Sequence, residues 1–136
     1  AVRGARDALV DADGDLVVVF GGGPREIFLP FAVAVLTHRE SVSKTLQYAD
    51  TDGVVREPCL PDLVTPIPEA ARPTLELVSE LGRETTLPEL AAASESSKST
   101  VGRHLDELEA ADAVSTSTET QTRLVELTLS GELRLR

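Results

Sequence analysis

The sequence is poor in the residue types on which disulfide-linked, membrane and metal-binding proteins depend. Its 136 residues include a single cysteine, Cys59, and no methionine or tryptophan. One cysteine cannot form an internal disulfide, and neither His38 nor His104 has a cluster of cysteine or carboxylate residues at the spacing of a metal site. No apolar run reaches the length of about 18 residues that a membrane span needs, and the first residues lack a signal-peptide layout. We therefore expect a cytoplasmic protein without a structural metal.

Positive charge, and lysine above all, is also scarce. The chain has 23 acidic and 13 basic residues, a formal net charge of −10, and its lysines are Lys44 and Lys98. An acidic surface with few lysines predicts a protein from a halophilic archaeon, because such proteins must stay hydrated in concentrated salt. Net negative charge counts against nucleic-acid binding, because phosphate attraction supplies most non-specific affinity. In molar salt that attraction is screened within about 3 Å, so a DNA-binding protein can be acidic away from its contact face.

The most informative stretch covers residues 94–108 and predicts the turn and recognition helix of a helix-turn-helix. Its apolar residues share one face of a helix and can pack on a core: Val101, Leu105 and Leu108. Ser97 is a favourable N-cap, because its hydroxyl can accept a free backbone N–H of the first turn. Lys98 lies in that first turn, where the helix dipole disfavours a cation. A cation is expected there if the end of the helix approaches phosphate.

Basic and hydroxyl groups are concentrated at the front of this helix, whereas carboxylates crowd its back. This polarity favours insertion of the N-terminal end into DNA. The predicted contacts to phosphates or base edges are Ser96, Ser97, Lys98, Ser99, Thr100, Arg103, His104 and Arg123. Arg103 is the best candidate to bind a guanine, His104 lies near the core boundary, and Arg123 is equally compatible with a solvated charge on an edge strand. For the helix alone, the alternative is an ordinary amphipathic helix with a solvated face.

The surrounding elements predict an α+β winged helix-turn-helix domain over residues 74–136. A first helix ends at Gly82, and residues 86–89 match a capping box with proline in the first turn of a second helix. After the recognition helix, residues 114–118 and 123–129 are predicted to form the two strands of a wing.

Residues 1–57 predict part of an α/β, Rossmann-like domain. The expected elements are a helix end in residues 1–12, a strand over 16–20, a helix over 27–36 and strands over 42–48 and 54–57. The first strand is a continuous apolar run, which is typical of a strand buried on both faces. The following helix is almost entirely apolar, so we expect a sheet and a second subunit to bury it. Strand, glycine-rich turn, helix and strand form a right-handed βαβ unit, and its missing partner strands must come from upstream residues or another subunit.

Two further segments are rich in proline or glycine. Residues 58–73 contain five prolines and are interpreted as a stiff linker. Residues 20–26, Phe-Gly-Gly-Gly-Pro-Arg-Glu, form the turn after the first strand, and their glycines would let backbone N–H groups approach a phosphate. The turn is neither a Walker A motif nor the dinucleotide fingerprint, because Glu26 stands where the third glycine would be. On spacing alone, a tight strand-to-helix turn is the alternative.

Both halves of the chain carry a family resemblance. Residues 97–105 match the pattern Ser-Lys-Ser-Thr-Val-x-Arg-His-Leu of archaeal and bacterial winged-helix regulators. The segment Val-Val-Phe-Gly-Gly-Gly-Pro-Arg-Glu, followed by a proline-rich linker and a winged helix, resembles the CRISPR-associated Rossmann-fold (CARF) regulators of archaea. The resemblance covers essentially the whole chain, but the first strand of that family and its ligand-contacting turn have no counterpart. We therefore expect an N-terminally incomplete sensor domain.

The resemblance implies a homodimeric sensor that binds cyclic oligoadenylate, such as cyclic tetra-adenylate, and a winged helix that acts on CRISPR promoters. The residues expected at the ligand site, near the dimer axis, are Gly21, Gly22, Gly23, Pro24 and Arg25. We therefore expect a ligand-responsive transcription regulator that binds double-stranded DNA. The alternatives are a winged-helix regulator without ligand sensing and a protein-interaction module. An enzyme is not expected, because the sequence offers no paired carboxylates, nucleophile–base pair or metal cluster.

Overall fold

The structure, a computed structural model, describes residues 2–82, 84–119 and 121–135. The chain divides into two compact units, Ala1–Leu60 and Pro61–Arg136. Among the described residues, no helix is long and apolar enough to cross a membrane. The same residues contain no group of three histidine, cysteine or carboxylate side chains placed to hold a metal ion.

The first unit combines a three-stranded sheet with two helices. Its elements are α1 (Val2–Val10), β1 (Val17–Phe20), α2 (Arg25–Thr37), a 3-10 turn (Arg39–Ser41), β2 (Lys44–Ala49) and β3 (Val54–Arg56). Strands β1 and β2 are parallel, and β3 pairs with β2 in the antiparallel direction. The predicted order of strand, turn, helix, strand and hairpin is confirmed, whereas the assignment to a Rossmann-like domain stays a prediction.

Strand β1 is buried on one face only. Val18 packs with Leu9 of α1 and Val35 of α2 in the core of this unit. Val17 and Val19 point to the other face and are 47% and 56% exposed. The prediction that this strand is buried on both faces is therefore wrong for the described chain. Both helices pack against the face of the sheet that carries Val18, and no described element of this unit covers the opposite face, which carries Val17 and Val19.

The second unit is a winged helix-turn-helix. Its elements are a 3-10 turn (Glu69–Ala71), α3 (Arg72–Leu81), β4 (Thr85–Thr86), α4 (Leu87–Ala93), α5 (Lys98–Ala110), β5 (Val114–Glu119), β6 (Thr122–Leu127) and α6 (Leu129–Arg134). The strands form an antiparallel sheet in the order β4-β6-β5, in which β5 and β6 are the wing. The predicted winged helix is confirmed.

The end of the wing differs from the prediction. The second wing strand was expected over residues 123–129, but β6 ends at Leu127 and a helix begins at Leu129. Thr128 causes the change, because its hydroxyl accepts a hydrogen bond from the backbone N–H of Gly131 and caps α6.

The core of the second unit is formed by all three helices of the helix-turn-helix and by the wing. Its fully buried residues include Leu75 and Val78 of α3, Leu90 of α4, Val101, Leu105 and Leu108 of α5, and Val125 of β6. The predicted inward face of the recognition helix is therefore confirmed. The predicted capping box is also present, since Thr86 and Glu89 exchange hydrogen bonds at the start of α4.

Part of the proline-rich segment, residues 58–73, packs on the winged helix. Asp62 forms an ion pair with Arg134 of α6, with 3.0 Å between Oδ1 and Nη2, and both side chains are largely buried. Burial alone would raise the pKa of Asp62. Hydrogen bonds from Thr65 and Val64 and the charge of Arg134 outweigh burial and lower that pKa below its ordinary value. The predicted domain boundaries stay a prediction.

We expect Gly131→Ala to lower the free energy of unfolding of the second unit by about 1–3 kcal/mol. A Cβ at Gly131 would overlap the carbonyl oxygen of Ala113 and lie 2.8 Å from Leu127 Cδ1, so the backbone must shift. Urea denaturation measures the change. The control is Glu132→Ala, an exposed neighbour on the same helix, for which we expect a change below about 0.5 kcal/mol. Unchanged stability of Gly131→Ala would contradict the described packing of α6.

Candidate nucleic-acid interface

Three hydroxyl groups converge on the N-terminus of α5. Ser97 is the N-cap, and its Oγ accepts a hydrogen bond from the backbone N–H of Thr100 at 3.3 Å. The same Oγ lies 3.0 Å from Oγ of Ser99 and 2.9 Å from Oγ1 of Thr100. The predicted N-cap is confirmed. Hydroxyl and backbone N–H groups thus meet at the positive end of the helix dipole, an arrangement that can bind phosphate oxygens.

The front of α5 presents most of the predicted contact residues to solvent. The exposed ones are Ser96, Ser97, Lys98, Ser99 and Arg103, and Thr100 is half-buried. Ser99 and Arg103 are four residues apart and therefore lie on the same side of the helix. Because the opposite side is locked into the core, the direction in which this surface points is fixed within the unit.

Arg103 is paired with a carboxylate of its own helix. Its Nη1 donates to Oε1 of Glu107 at 2.9 Å, and the arginine side chain remains largely exposed. The other carboxylate oxygen of Glu107 is buried and has no hydrogen-bond partner among the described residues. This pair engages Nη1, and the other guanidinium nitrogens have further N–H groups to donate.

His104 lies inside the unit. It is 7% exposed, and its Nδ1 is 2.9 Å from Oγ1 of Thr74 on α3. The structure thus places His104 in the contact between α3 and α5, away from the exposed front formed by Lys98 and Arg103. A direct contact of His104 with DNA stays a prediction.

Arg123 on β6 is held by the acidic end of α5. Its guanidinium donates to Asp106 at 2.7 Å and to Glu109 at 3.2 Å, and the side chain is half-buried. Glu109 also accepts hydrogen bonds from the backbone N–H and hydroxyl of Thr116 on β5. Sequence reasoning missed that these carboxylates anchor the wing. The available signal was the spacing of Asp106 and Glu109, three residues apart on one helix face.

The glycine-rich turn forms the wall of a cavity in the first unit. The cavity has a volume of about 250 Å³ and is lined by Val19, Phe20, Gly21, Gly22, Gly23, Pro24, Ile27, Phe28 and Phe31. Four of the five predicted ligand residues are thus brought together, whereas Arg25 is exposed at the start of α2 and is not part of the lining.

The surroundings of this turn were not foreseen. The Phe20 ring packs edge-on against Phe28 and Phe31, with ring centroids 5.8 and 5.6 Å apart. A Cβ added at Gly22 would lie 3.1 Å from a carboxylate oxygen of Asp50. The turn therefore combines an aromatic wall with a nearby negative charge, and that charge opposes a phosphate at Gly22.

Comparisons with known proteins bear on the second unit. Residues 75–117 match the IclR helix-turn-helix domain family, a stretch that contains all of α5. No curated protein matches the chain. Among solved structures, the crystal structure of an ArsR family transcriptional regulator is similar over 50% of this chain and 72% of that chain, at 19% sequence identity and a TM-score of 0.39. The domain match and the observed fold support a DNA-binding transcription regulator of the winged-helix type.

Ser97→Ala should lower the free energy of unfolding of the second unit by about 1 kcal/mol, because the Thr100 N–H loses its acceptor. Ser97→Asp should restore most of that loss, since aspartate caps as well as serine. Urea denaturation of both variants tests the assignment. Ser96→Ala is the control, because the hydroxyl of this exposed neighbour takes no part in the cap. Equal losses of unfolding free energy for Ser96→Ala and Ser97→Ala would contradict the assignment of Ser97 as the N-cap.

Proposed function

We propose that the chain is a sequence-specific transcription regulator that binds double-stranded DNA in the cytoplasm as a homodimer, with the N-terminal half of α5 in the major groove. One observation carries this proposal. The N-terminus of α5 is capped and exposed, and it carries Lys98 and three hydroxyl groups, while the inner face of the same helix is buried in the core. A cation in the first turn is unfavourable in an isolated helix. It becomes favourable when a phosphate lies at that helix end.

The net charge of −10 limits how the protein can bind DNA. Attraction to phosphate is weak for an acidic protein, and it is weaker still in the concentrated salt that we propose as the working medium. Most of the affinity must then come from close contacts to bases and backbone rather than from long-range attraction. Arg103 is the residue on the front of α5 that can donate two hydrogen bonds to a guanine.

For the first unit we propose a CARF-type, Rossmann-like sensor whose ligand lies at residues 21–25. Support comes from the parallel strands β1 and β2 joined through α2 and from the cavity at the glycine turn. The aromatic wall suits stacking of a base. The carboxylate of Asp50 near Gly22 disfavours a phosphate at that point, so an adenine of a cyclic oligoadenylate would face this wall. Ligand binding would change the pairing of two sensors and thereby the spacing of two winged helices.

The exposed side of α2 is the surface that we propose for dimerisation. Its outward side chains include Ile27, Phe28, Leu29 and Val33. The helix has no charged side chain between Glu26 and its end at Thr37. A two-fold contact of α2 with α2 over residues 27–37 therefore brings no like charges together. Exposed apolar patches of this kind commonly mark protein–protein interfaces, and a two-fold dimer fits a pseudo-palindromic operator.

Fluorescence anisotropy in high salt tests the proposed function. The full chain is titrated onto DNA from its own locus and onto scrambled DNA, each with and without cyclic tetra-adenylate. If the chain binds DNA from its own locus more tightly than scrambled DNA, and cyclic tetra-adenylate changes that affinity, the result supports both the regulator and the sensor. If the preference is present but the nucleotide does not change it, the result supports a regulator that does not bind this ligand. Equal, weak binding to both DNAs contradicts the regulator and favours a protein-interaction winged helix.

Arg103→Ala should weaken binding to the preferred DNA by about tenfold or more, within the roughly 1–3 kcal/mol of a bidentate base contact, and should relax the choice of base at one position. Anisotropy on a set of single-base variants measures both effects. Arg72→Ala is the matched control, because Arg72 forms the same type of pair with Glu76 on α3. Undiminished specific binding by Arg103→Ala would contradict the proposed contact face.

Leu29→Glu should convert the dimer into a monomer, because it places a charge in the middle of the proposed α2 contact. Leu29 is 67% exposed, so the substitution should leave the fold of the unit intact. Sedimentation velocity measures the change. The control is Val55→Glu on β3, since Val55 is equally apolar and is 59% exposed. If Val55→Glu dissociates the dimer and Leu29→Glu does not, the interface is the uncovered face of the sheet.

A further inference from the structure

Gly102 lies in the middle of α5, where nothing in the chain requires a glycine. It belongs to the regular helix Lys98–Ala110, and it is not among the glycines with positive φ. Beyond its chain neighbours and the backbone of its own helix, a Cβ added at Gly102 would meet no atom of the described residues within 4 Å. Glycine is less favourable than alanine inside a helix, because its backbone loses more freedom on folding. The free protein therefore carries a helix-destabilising residue without a packing reason for it.

Gly102 lies on the side of α5 that faces the wing. Gly102 follows Lys98 by one turn and precedes Asp106 by one turn, so the three lie in one row along α5. Asp106 binds Arg123 of the wing, and this row therefore runs along the side of α5 that faces the wing. The row of Ser99 and Arg103 lies next to it, at the centre of the exposed surface.

We infer that Gly102 is the point at which a DNA sugar–phosphate strand approaches the recognition helix most closely. This inference rests on the proposed function. If the centre of the exposed surface, with Arg103, faces the floor of the major groove, the flanking row faces one wall of the groove. That wall is a sugar–phosphate strand that passes the N-terminal half of α5, ahead of the point at which Asp106 binds Arg123 of the wing. A missing side chain lets this strand come closer to the helix, with the Lys98 ammonium one turn away to meet its charge.

This geometry separates the role of Gly102 from that of Arg103. A side chain at position 102 would push away the DNA backbone, which has the same shape for most sequences. Binding should therefore weaken about equally on preferred and scrambled DNA, and the ratio of the two affinities should stay constant. Loss of Arg103, in contrast, should reduce that ratio.

The test is Gly102→Ala in the full chain, with Gly102→Leu as a larger substitution. Each variant is titrated onto DNA from its own locus and onto scrambled DNA, and thermal unfolding is recorded in parallel. We expect a raised Tm for Gly102→Ala and an affinity about tenfold lower on both DNAs, with a further loss for Gly102→Leu. Gly4→Ala in α1 is the matched control, since Gly4 is also helical and its Cβ would also meet nothing within 4 Å. It should leave DNA affinity unchanged.

Three results would overturn the inference. If the wild-type chain binds DNA and Gly102→Ala binds equally well, the strand does not approach at Gly102, while the proposed function stands. If Gly102→Ala lowers the Tm, the space around Gly102 is not open in solution. If the wild-type chain binds neither DNA, the proposed function fails first and the inference fails with it.

Discussion

The burial of one face of α5 is the constraint on which the second unit depends. Val101, Leu105 and Leu108 are fully buried against the other helices and the wing. Because these residues occur at helical spacing, their burial fixes the rotation of α5 about its axis. The hydrogen bond between His104 and Thr74 adds a polar contact on the same inner side. The outward direction of Lys98, Ser99 and Arg103 follows from this packing.

Ion pairs within the second unit limit how its arginines can contact DNA. Arg103 pairs with Glu107, and Arg123 pairs with Asp106 and Glu109, so each of these arginines is bound to a carboxylate of α5 in the free protein. In the proposed DNA complex, the negative charge of Glu107 beside Arg103 would partly offset the attraction of this arginine to DNA. Salt weakens the internal pair as well as a contact to DNA, so we expect this arginine to respond less to salt than an unpaired one.

The winged helix could be predicted because its signals are local. Helical spacing and the caps at Ser97 and Thr86 define α4 and α5 within a few residues of sequence. The pairing of Arg123 with Asp106 joins residues far apart in the chain, and periodicity does not reveal such contacts. The second wing strand was predicted to reach residue 129, two residues beyond the observed end of β6, because leucine and threonine occur in strands as well as in helices. The cap at Thr128 starts a helix there instead. The exposure of Val17 depends on what covers the sheet, which no local pattern determines.

Hydrogen–deuterium exchange of the full chain, with and without DNA from its own locus in high salt, tests whether the N-terminal half of α5 is the surface that meets DNA. We expect DNA to slow exchange in residues 96–103, with a smaller effect along the wing and no change in the interior of α3. Slowed exchange confined to the acidic end of α5 or to the first unit, with DNA bound, would show that DNA meets another surface.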